Sequence, residues 1–241
     1  MSEFMDKTAI VTGSAQGIGY AIAKLLAMRG ANVVITDINA SGAASAAANI
    51  EGKCSHIAGD ISDHDFHKSL IEFTVSQYGK VDILVNNAGI AGQVDLLDIT
   101  EEQFTKVLDV NLKGTTFLSQ LVLRHMIKNN YGRIVNIASL AGERGGMYAG
   151  VHYSTSKAGV IVLTKCLALR GGPHNVTANA VAPGLIMTAL ADKLKFSTEE
   201  VALKRLGQPE EVAEVAAFLA SDRASYVSGC TVDVNGGQFM R

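Results

Sequence analysis

The chain holds 241 residues, 48% of them apolar, with 24 glycines, 3 prolines and a formal charge of −2. That length suits one α/β domain, and so apolar a composition argues against disorder. Lys and Arg are scattered, which excludes a nucleic-acid groove built on a basic stripe. Cys54, Cys166 and Cys230 are far apart and form no CxxC pair, so they read as reduced thiols rather than disulfides or zinc ligands. Met1 to Lys7 carries Glu3 and Asp6 and leads straight into a strand-like run, unlike a signal peptide. No apolar stretch approaches the length of a membrane span, and a cytoplasmic protein is expected.

In chain order, short Val/Ile-rich runs predict strands at Thr8–Thr12, Asn32–Thr36, Cys54–Ala58, Asp82–Asn86, Arg133–Ile137, Thr177–Val181 and Thr231–Val234. Between them, apolar residues recur three and four apart at Ile18–Met28, Phe66–Tyr78, Phe104–Ile127 and Val160–Leu169, the spacing of helices. Two glycines and a proline at Arg170-Gly171-Gly172-Pro173 are expected to fray the last of these. Strands apolar on both faces and joined by helices imply a doubly wound parallel sheet of about seven strands, with helices on both faces. No repeat or linker interrupts the series, so residues 1–241 read as a single domain.

The first strand runs into Thr12-Gly13-Ser14-Ala15-Gln16-Gly17-Ile18-Gly19, and a helix follows. Glycines there permit a tight turn, and the new helix offers unpaired N–H groups to a pyrophosphate. A glycine-rich turn alone is weak evidence; its place between a strand and a helix is what gives it weight. Asp37 closes the second strand, where a carboxylate can accept hydrogen bonds from both ribose hydroxyls and repel a 2′-phosphate. With no Lys or Arg in the turn, NAD(H) is expected over NADP(H). The competing reading makes Asp37 a solvated strand-end carboxylate.

Ser139 ends the fifth strand, and Tyr153 and Lys157 stand four apart at the start of the next helix, on one face. A ketone reductase needs a proton donor beside the carbonyl oxygen, and a base in the reverse direction. A lysine beside a tyrosine favours the phenolate, and a serine can hydrogen-bond the developing alkoxide. Tyr-x3-Lys by itself is a common coincidence, for which a tyrosine packed over a lysine stem is the plain explanation.

Taken together, the motifs make the chain resemble a classical short-chain dehydrogenase/reductase, with a Rossmann-type fold, over essentially its full length. They occur in order: the Thr12–Gly19 turn, Asp60-Ile61, Asn86-Asn87-Ala88-Gly89, Asn111, Ser139, Tyr153-x3-Lys157, Pro183-Gly184 and Asn235-Gly236-Gly237. The resemblance implies that Tyr153 is the acid/base, that Ser139 positions the substrate, and that Lys157 also binds the nicotinamide ribose. Asn111, within the long fourth helix, would hold a water of the proton relay. For the cofactor it implies Gly13, Gln16, Gly17, Ile18 and Gly19 at the pyrophosphate and Asp60 and Ile61 at the adenine. Asn87, Ala88 and Gly89 would pack beside the cofactor, and Ile186 and Thr188, after Pro183-Gly184, would grip the carboxamide. A homotetramer is implied as well. Val107, Leu108, Leu112, Phe117, Leu118, Leu121 and Val122 give the fourth helix more than one apolar face, in keeping with such an assembly.

The stretches Arg205–Ala213 and Phe218–Asp222 are similar to 3-oxoacyl-carrier-protein reductases, which implies reduction of an acyl thioester. Those enzymes usually prefer NADPH, against Asp37, and the substrate loop at about 185–204 reads as shorter than theirs. Oxidation of a polyol, cyclic alcohol or hydroxysteroid therefore competes, and an idle NAD-binding sensor or scaffold is the non-enzymatic alternative. Retention of Asn111, Ser139, Tyr153 and Lys157 speaks against the last. A Ser–His hydrolase built on Ser139 and His152 lacks its elbow, because Ile137 and Ala141 stand at the glycine positions. His56, His64 and His67 with Asp63 and Asp65 could suggest a metal, but a solvated acidic first helical turn explains them equally well, and no metal is expected.

Overall fold

The computed structural model describes residues 3–146, 149–188 and 197–240. Seven strands form its sheet: β1 (Thr8–Thr12), β2 (Asn32–Asp37), β3 (Cys54–Ala58), β4 (Ile83–Asn86), β5 (Gly132–Ile137), β6 (Val176–Pro183) and β7 (Thr231–Val234). The order across the sheet is β3-β2-β1-β4-β5-β6-β7, and every pairing is parallel. The connecting helices are α1 (Gly17–Met28), α2 (Ala40–Asn49), α3 (His64–Tyr78), α4 (Glu101–Leu108), α5 (Thr115–Asn129), α6 (Ala141–Arg144), α7 (Val151–Gly171) and α8 (Pro209–Ala220).

Alternation of side chains along each strand divides the core in two. Val11, Val33, Ile35, Val85, Val135 and Val181 face α1, α2 and α8, where Ile22, Leu26, Ala43 and Ala216 meet them. Ile10, Val34, Leu84, Ile134 and Ala178 face the other way, against Leu70 of α3, Val122 and Met126 of α5 and Leu167 of α7. Both faces being covered, the strands need apolar residues at nearly every position, and that is the pattern of their sequences.

Three local features differ from the sequence expectation. The single helix expected over Phe104–Ile127 is α4, a π-type turn Asp109–Gly114, and α5. The wider turn arises where Gly114 passes the Ile61 carbonyl so closely that any Cβ would collide with it. α7 does not fray at its glycines: it runs through Gly171, and a 3₁₀ turn Gly172–His174 that contains Pro173 follows. Gly171 is required because a Cβ there would lie 2.9 Å from Val176 Cβ, so close packing outweighs the helix propensity lost. α2 is an alanine-rich helix with few large apolar residues, started by Asn39, whose Oδ1 accepts from the Gly42 N–H at 3.0 Å.

At the edge of the sheet opposite the strand C-termini, a charged cluster closes the core. Arg133, 2% exposed, donates to the carbonyls of Gly132 (2.8 Å) and Asn175 (3.0 Å) and to Asp222 Oδ1 (3.0 Å). Tyr131 donates to the same carboxylate oxygen at 2.8 Å, and Lys7 Nζ sits 3.5 Å over its ring. Replacing Arg133 by Ala opens a cavity, takes a donor from the Gly132 and Asn175 carbonyls and leaves Asp222 with Tyr131 alone at that oxygen. We expect it to cost about 3 kcal/mol in urea unfolding; a loss below about 1 kcal/mol would show the cluster to be ornamental.

Candidate active site

Strand order reverses beside β1: the chain goes from there to β2 and β3 on one side, and to β4 and onward on the other. Crossovers leaving in opposite directions open a crevice at the C-terminal ends of β1 and β4. Those two ends are tied together. Thr12 Oγ1 accepts from the N–H groups of Asn87 and Ala88, each at 3.0 Å. Asn87 Nδ2 donates back to the carbonyls of Thr12 (3.0 Å) and Gly13 (2.8 Å).

Gly13 and Gly17 both adopt left-handed backbone, with φ of 60° and 61°. A Cβ on Gly13 would lie 2.7 Å from Ala88 Cα, whereas one on Gly17 would meet nothing nearer than Thr188 Cγ2 at 3.7 Å. Gly13 therefore serves packing, and Gly17 leaves open space. Gly19 backs onto the Gly13 carbonyl. Gln16 begins α1 with no side-chain cap, and the first turn holds no acidic residue, which leaves its N–H groups available to an anion. Asp37 is fixed beside this turn: Oδ2 accepts from the Ala15 N–H at 3.1 Å and Oδ1 from the Asn39 N–H at 3.0 Å. Asp60 turns its carboxylate onto the Ser62 N–H and hydroxyl, both at 2.8 Å, and Ile61 next to it is buried. An open anion-binding turn with a carboxylate one strand away fits a dinucleotide.

The chemical end lies beyond β4 and β5. Lys157 is 5% exposed and its ammonium donates to the Ile137 carbonyl at 2.7 Å, 5.8 Å from the centre of the Tyr153 ring. Burial pushes the Tyr153 phenol above its usual value, while the Ser139 hydroxyl bonded to it pulls the other way. The phenol is thus raised, where the sequence expectation had it drawn down, because burial outweighs the Ser139 hydrogen bond; the Lys157 ammonium is turned to the Ile137 carbonyl. Asn111 sits in the π-type turn and is 1% exposed. Its Oδ1 accepts from the Ile90 N–H (2.8 Å), and its Nδ2 donates to the Ile90 carbonyl (2.9 Å) and to Ser156 Oγ (3.0 Å). Its side chain holds the chain after β4 against α7. His152 is buried with its ring against Gly92 and Gly150, and its Nδ1 has no hydrogen-bond partner among the described residues.

A cleft of about 400 Å³ joins the two ends. It gathers Ile18, Asn87, Gly89, Ser139, Tyr153, Lys157, Pro183, Gly184, Ile186 and Thr188. Gly13, Gln16, Gly17, Gly19, Asp37, Asp60, Ile61, Ala88 and Asn111 lie outside its lining, flanking or supporting it. Ile186 is held by a parallel bridge to Gly207, through Met187 N–H to Gly207 O at 2.8 Å and Gly207 N–H to Leu185 O at 2.9 Å. Of the substrate loop expected at about 185–204, residues 189–196 lie outside the described residues. Gln93, Arg144 and Gln238 also line the cleft, and the sequence motifs did not single them out. Arg144 stands five residues past Ser139 and Gln238 directly after Asn235-Gly236-Gly237, and that adjacency was the available signal.

Burial lowers the Lys157 ammonium from its ordinary value of 10.5 to about 8. Between those values the unfolded chain holds a proton that the native chain lacks, so the penalty for burying Lys157 fades as pH rises. The stability gained by Lys157→Met over the native protein should therefore shrink by about 2 kcal/mol from pH ~8 to ~10. Denaturant titrations of both proteins check this, and a difference that stays flat with pH would contradict it.

Comparison with known proteins agrees with this arrangement. A family model described as enoyl-(acyl carrier protein) reductase matches residues 13–238. The chain is 41% identical over 239 residues to a 3-oxoacyl-[acyl-carrier-protein] reductase of Thermotoga maritima, covering 96% of this chain and 97% of that one. It is 40% identical over 245 residues to the protein of the same name from Chlamydia muridarum, covering 98% of each. Among solved structures, levodione reductase has a TM-score of 0.93 at 31% identity, over 98% of both chains. A putative gluconate dehydrogenase from Agrobacterium tumefaciens has a TM-score of 0.92 at 30% identity, over 98% of this chain and 97% of that one. Similarity along nearly the whole chain, in sequence and in fold, means that the chain belongs to the classical short-chain dehydrogenase/reductase family and is an oxidoreductase.

Proposed function

We propose that the chain interconverts a secondary alcohol and a ketone using NAD(H). The observation that carries this reading is the convergence of Ser139, Tyr153 and Lys157 on one wall of a cleft that reaches Ile18, the residue next to the open Gly17 turn. In this reading Gly13, Gln16, Gly17, Ile18 and Gly19 hold the pyrophosphate, Asp37 the adenosine ribose, and Asp60 and Ile61 the adenine. Asn87, Ala88 and Gly89 flank the cofactor, Lys157 binds the nicotinamide ribose, and Pro183, Gly184, Ile186 and Thr188 hold the carboxamide. Bound there, NADH supplies the hydride equivalent that reduces the carbonyl carbon.

Tyr153 gives its phenolic proton to the carbonyl oxygen as the alcohol forms, and Ser139 donates a hydrogen bond to the developing alkoxide. Burial that raises the phenol keeps it protonated and ready to donate. Lys157 stands beside the phenolate left behind and stabilises it until a proton returns from solvent; Asn111 belongs to that return path through the backbone it holds. Overall, ketone, NADH and a proton give alcohol and NAD⁺, and oxidation runs through the same groups reversed.

The names of the Thermotoga and Chlamydia relatives support a 3-oxoacyl thioester as substrate. Those of the structural neighbours support a polyol or cyclic ketone instead. Exposed apolar residues on α5 and α7, Phe117, Val162 and Leu169, support a homotetramer as the working assembly. Among the described residues no helix is long and apolar enough to cross a membrane, and a small-molecule substrate in the cytoplasm remains the reading.

Two measurements test the proposal. Tyr153→Phe should keep NADH affinity within a few-fold in a fluorescence titration while kcat falls by at least about 10³. An active Phe variant would remove this tyrosine from the mechanism. NADH should exceed NADPH by at least about tenfold in kcat/KM, and Asp37→Ala should narrow the gap. Equal use of the two cofactors by the native enzyme would overturn the role given to Asp37.

A further inference from the structure

We propose that Arg144 is an anion receptor for the substrate: the ketone or alcohol that reaches Tyr153 carries a carboxylate, and Arg144 binds it. This rests on the alcohol–ketone reading of the same site and narrows its substrate class.

Arg144 ends α6, a single turn that starts two residues after Ser139, and its backbone is tied to the reacting groups. The Leu140 N–H donates to the Pro183 carbonyl at 3.0 Å, the Ala141 N–H to Ser139 Oγ at 3.1 Å, and the Arg144 N–H to the Leu140 carbonyl at 3.1 Å. Gly142 lies so close to α7 that a Cβ would come within 2.7 Å of the Lys157 carbonyl carbon. The backbone that carries Arg144 is therefore fixed between Ser139 and α7, and the side chain reaches the cleft from there.

The rest of the described cleft lining is apolar or neutral, with Lys157 as its other charged group. That ammonium is already directed at the Ile137 carbonyl. An arginine in such a wall needs an anion, and here it has borrowed one: its guanidinium meets Glu200 Oε2 at 3.3 Å, with the two side chains 26% and 48% exposed. Glu200 shows that the site accepts a carboxylate. A half-solvated pair of this kind contributes little, so a carboxylate presented from inside the cleft can replace Glu200. The planar guanidinium matches a carboxylate in shape as well as charge. A thioester, whose carboxyl carbon bears no charge, would leave Arg144 with Glu200 and gain nothing from it.

The test compares acetoacetate and levulinate, each against its own methyl ester, with NADH as reductant. The native enzyme should favour the acids. Arg144→Met should lower the acid-to-ester ratio of kcat/KM at least about tenfold, chiefly through the KM of the acid, and Arg144→Lys should restore part of it. Glu200→Gln, which removes the competing carboxylate, should raise the ratio a few-fold. A ratio that neither variant moves, or a native enzyme that reduces the esters but not the acids, overturns the receptor and leaves the alcohol–ketone reading standing. A native enzyme that reduces neither acids nor esters overturns the receptor, and if it also reduces no cyclic ketone or 3-oxoacyl thioester it overturns the alcohol–ketone reading.

Discussion

A parallel sheet sealed under helices on both faces leaves little room for polar groups, and those it keeps must be paired with one another. In this chain the pairing forms a ladder under the site. Asn86 Nδ2 donates to Ser119 Oγ and to Asn136 Oδ1, both at 2.8 Å, and Asn136 Nδ2 donates to Thr164 Oγ1 at 2.8 Å. β4, β5, α5 and α7 are thereby held in one register, because any slip would leave buried amides without partners. Thr164 and Lys157 lie on the same buried stripe of α7. The ladder therefore fixes how far along β5 the lysine and tyrosine fall, and sets them opposite Ser139.

Electrostatics at the strand ends follow from that placement. The Lys157 ammonium is nearly dry, and the carbonyl of the last residue of β5 is the acceptor within reach. Burial acts on neighbouring groups in opposite senses: it lowers the lysine and raises the tyrosine, each toward its neutral form. A neutral phenol suits proton donation to a carbonyl oxygen, and a lysine near 8 titrates close to neutral pH. Asn111 sits in the π-type turn. The π-type turn directs its amide at Ile90, and that contact holds the Gly89–Gln93 wall of the cleft.

The two ends of the sheet are built differently. At the strand N-termini Arg133, Tyr131 and Asp222 form a closed cluster, and Asp82, which accepts from the Thr8 N–H at 2.9 Å and meets Lys80 at 3.0 Å, fastens the neighbouring strands. At the C-terminal rim the wall is made of small residues, Gly89, Ala91, Gly92, Gly145 and Gly146, and the charged pair across it is half-solvated. The base is anchored on the buried Arg133, and the small residues of the rim leave room for a ligand.

Much of this was written along the chain. All seven strands begin and end within two residues of their predicted runs, because a strand buried on both faces admits few polar residues. The Gly13–Gly19 turn was legible from its place between β1 and α1, and Tyr153 and Lys157 from a spacing of four that any helix turns to one side. Other features had no local signal. The π-type turn depends on Gly114 meeting Ile61, the intact end of α7 on Gly171 meeting Val176, and the sense of the Tyr153 shift on burial and Ser139. Arg144 read as one more scattered cation until α6 folded it into the cleft beside Glu200. The sequence alone determined periodicity, turn chemistry and the contacts within one helix, which are properties of neighbouring residues. Desolvation, close approach and the pairing of charges belong to residues far apart in the chain, so the tertiary structure decided them.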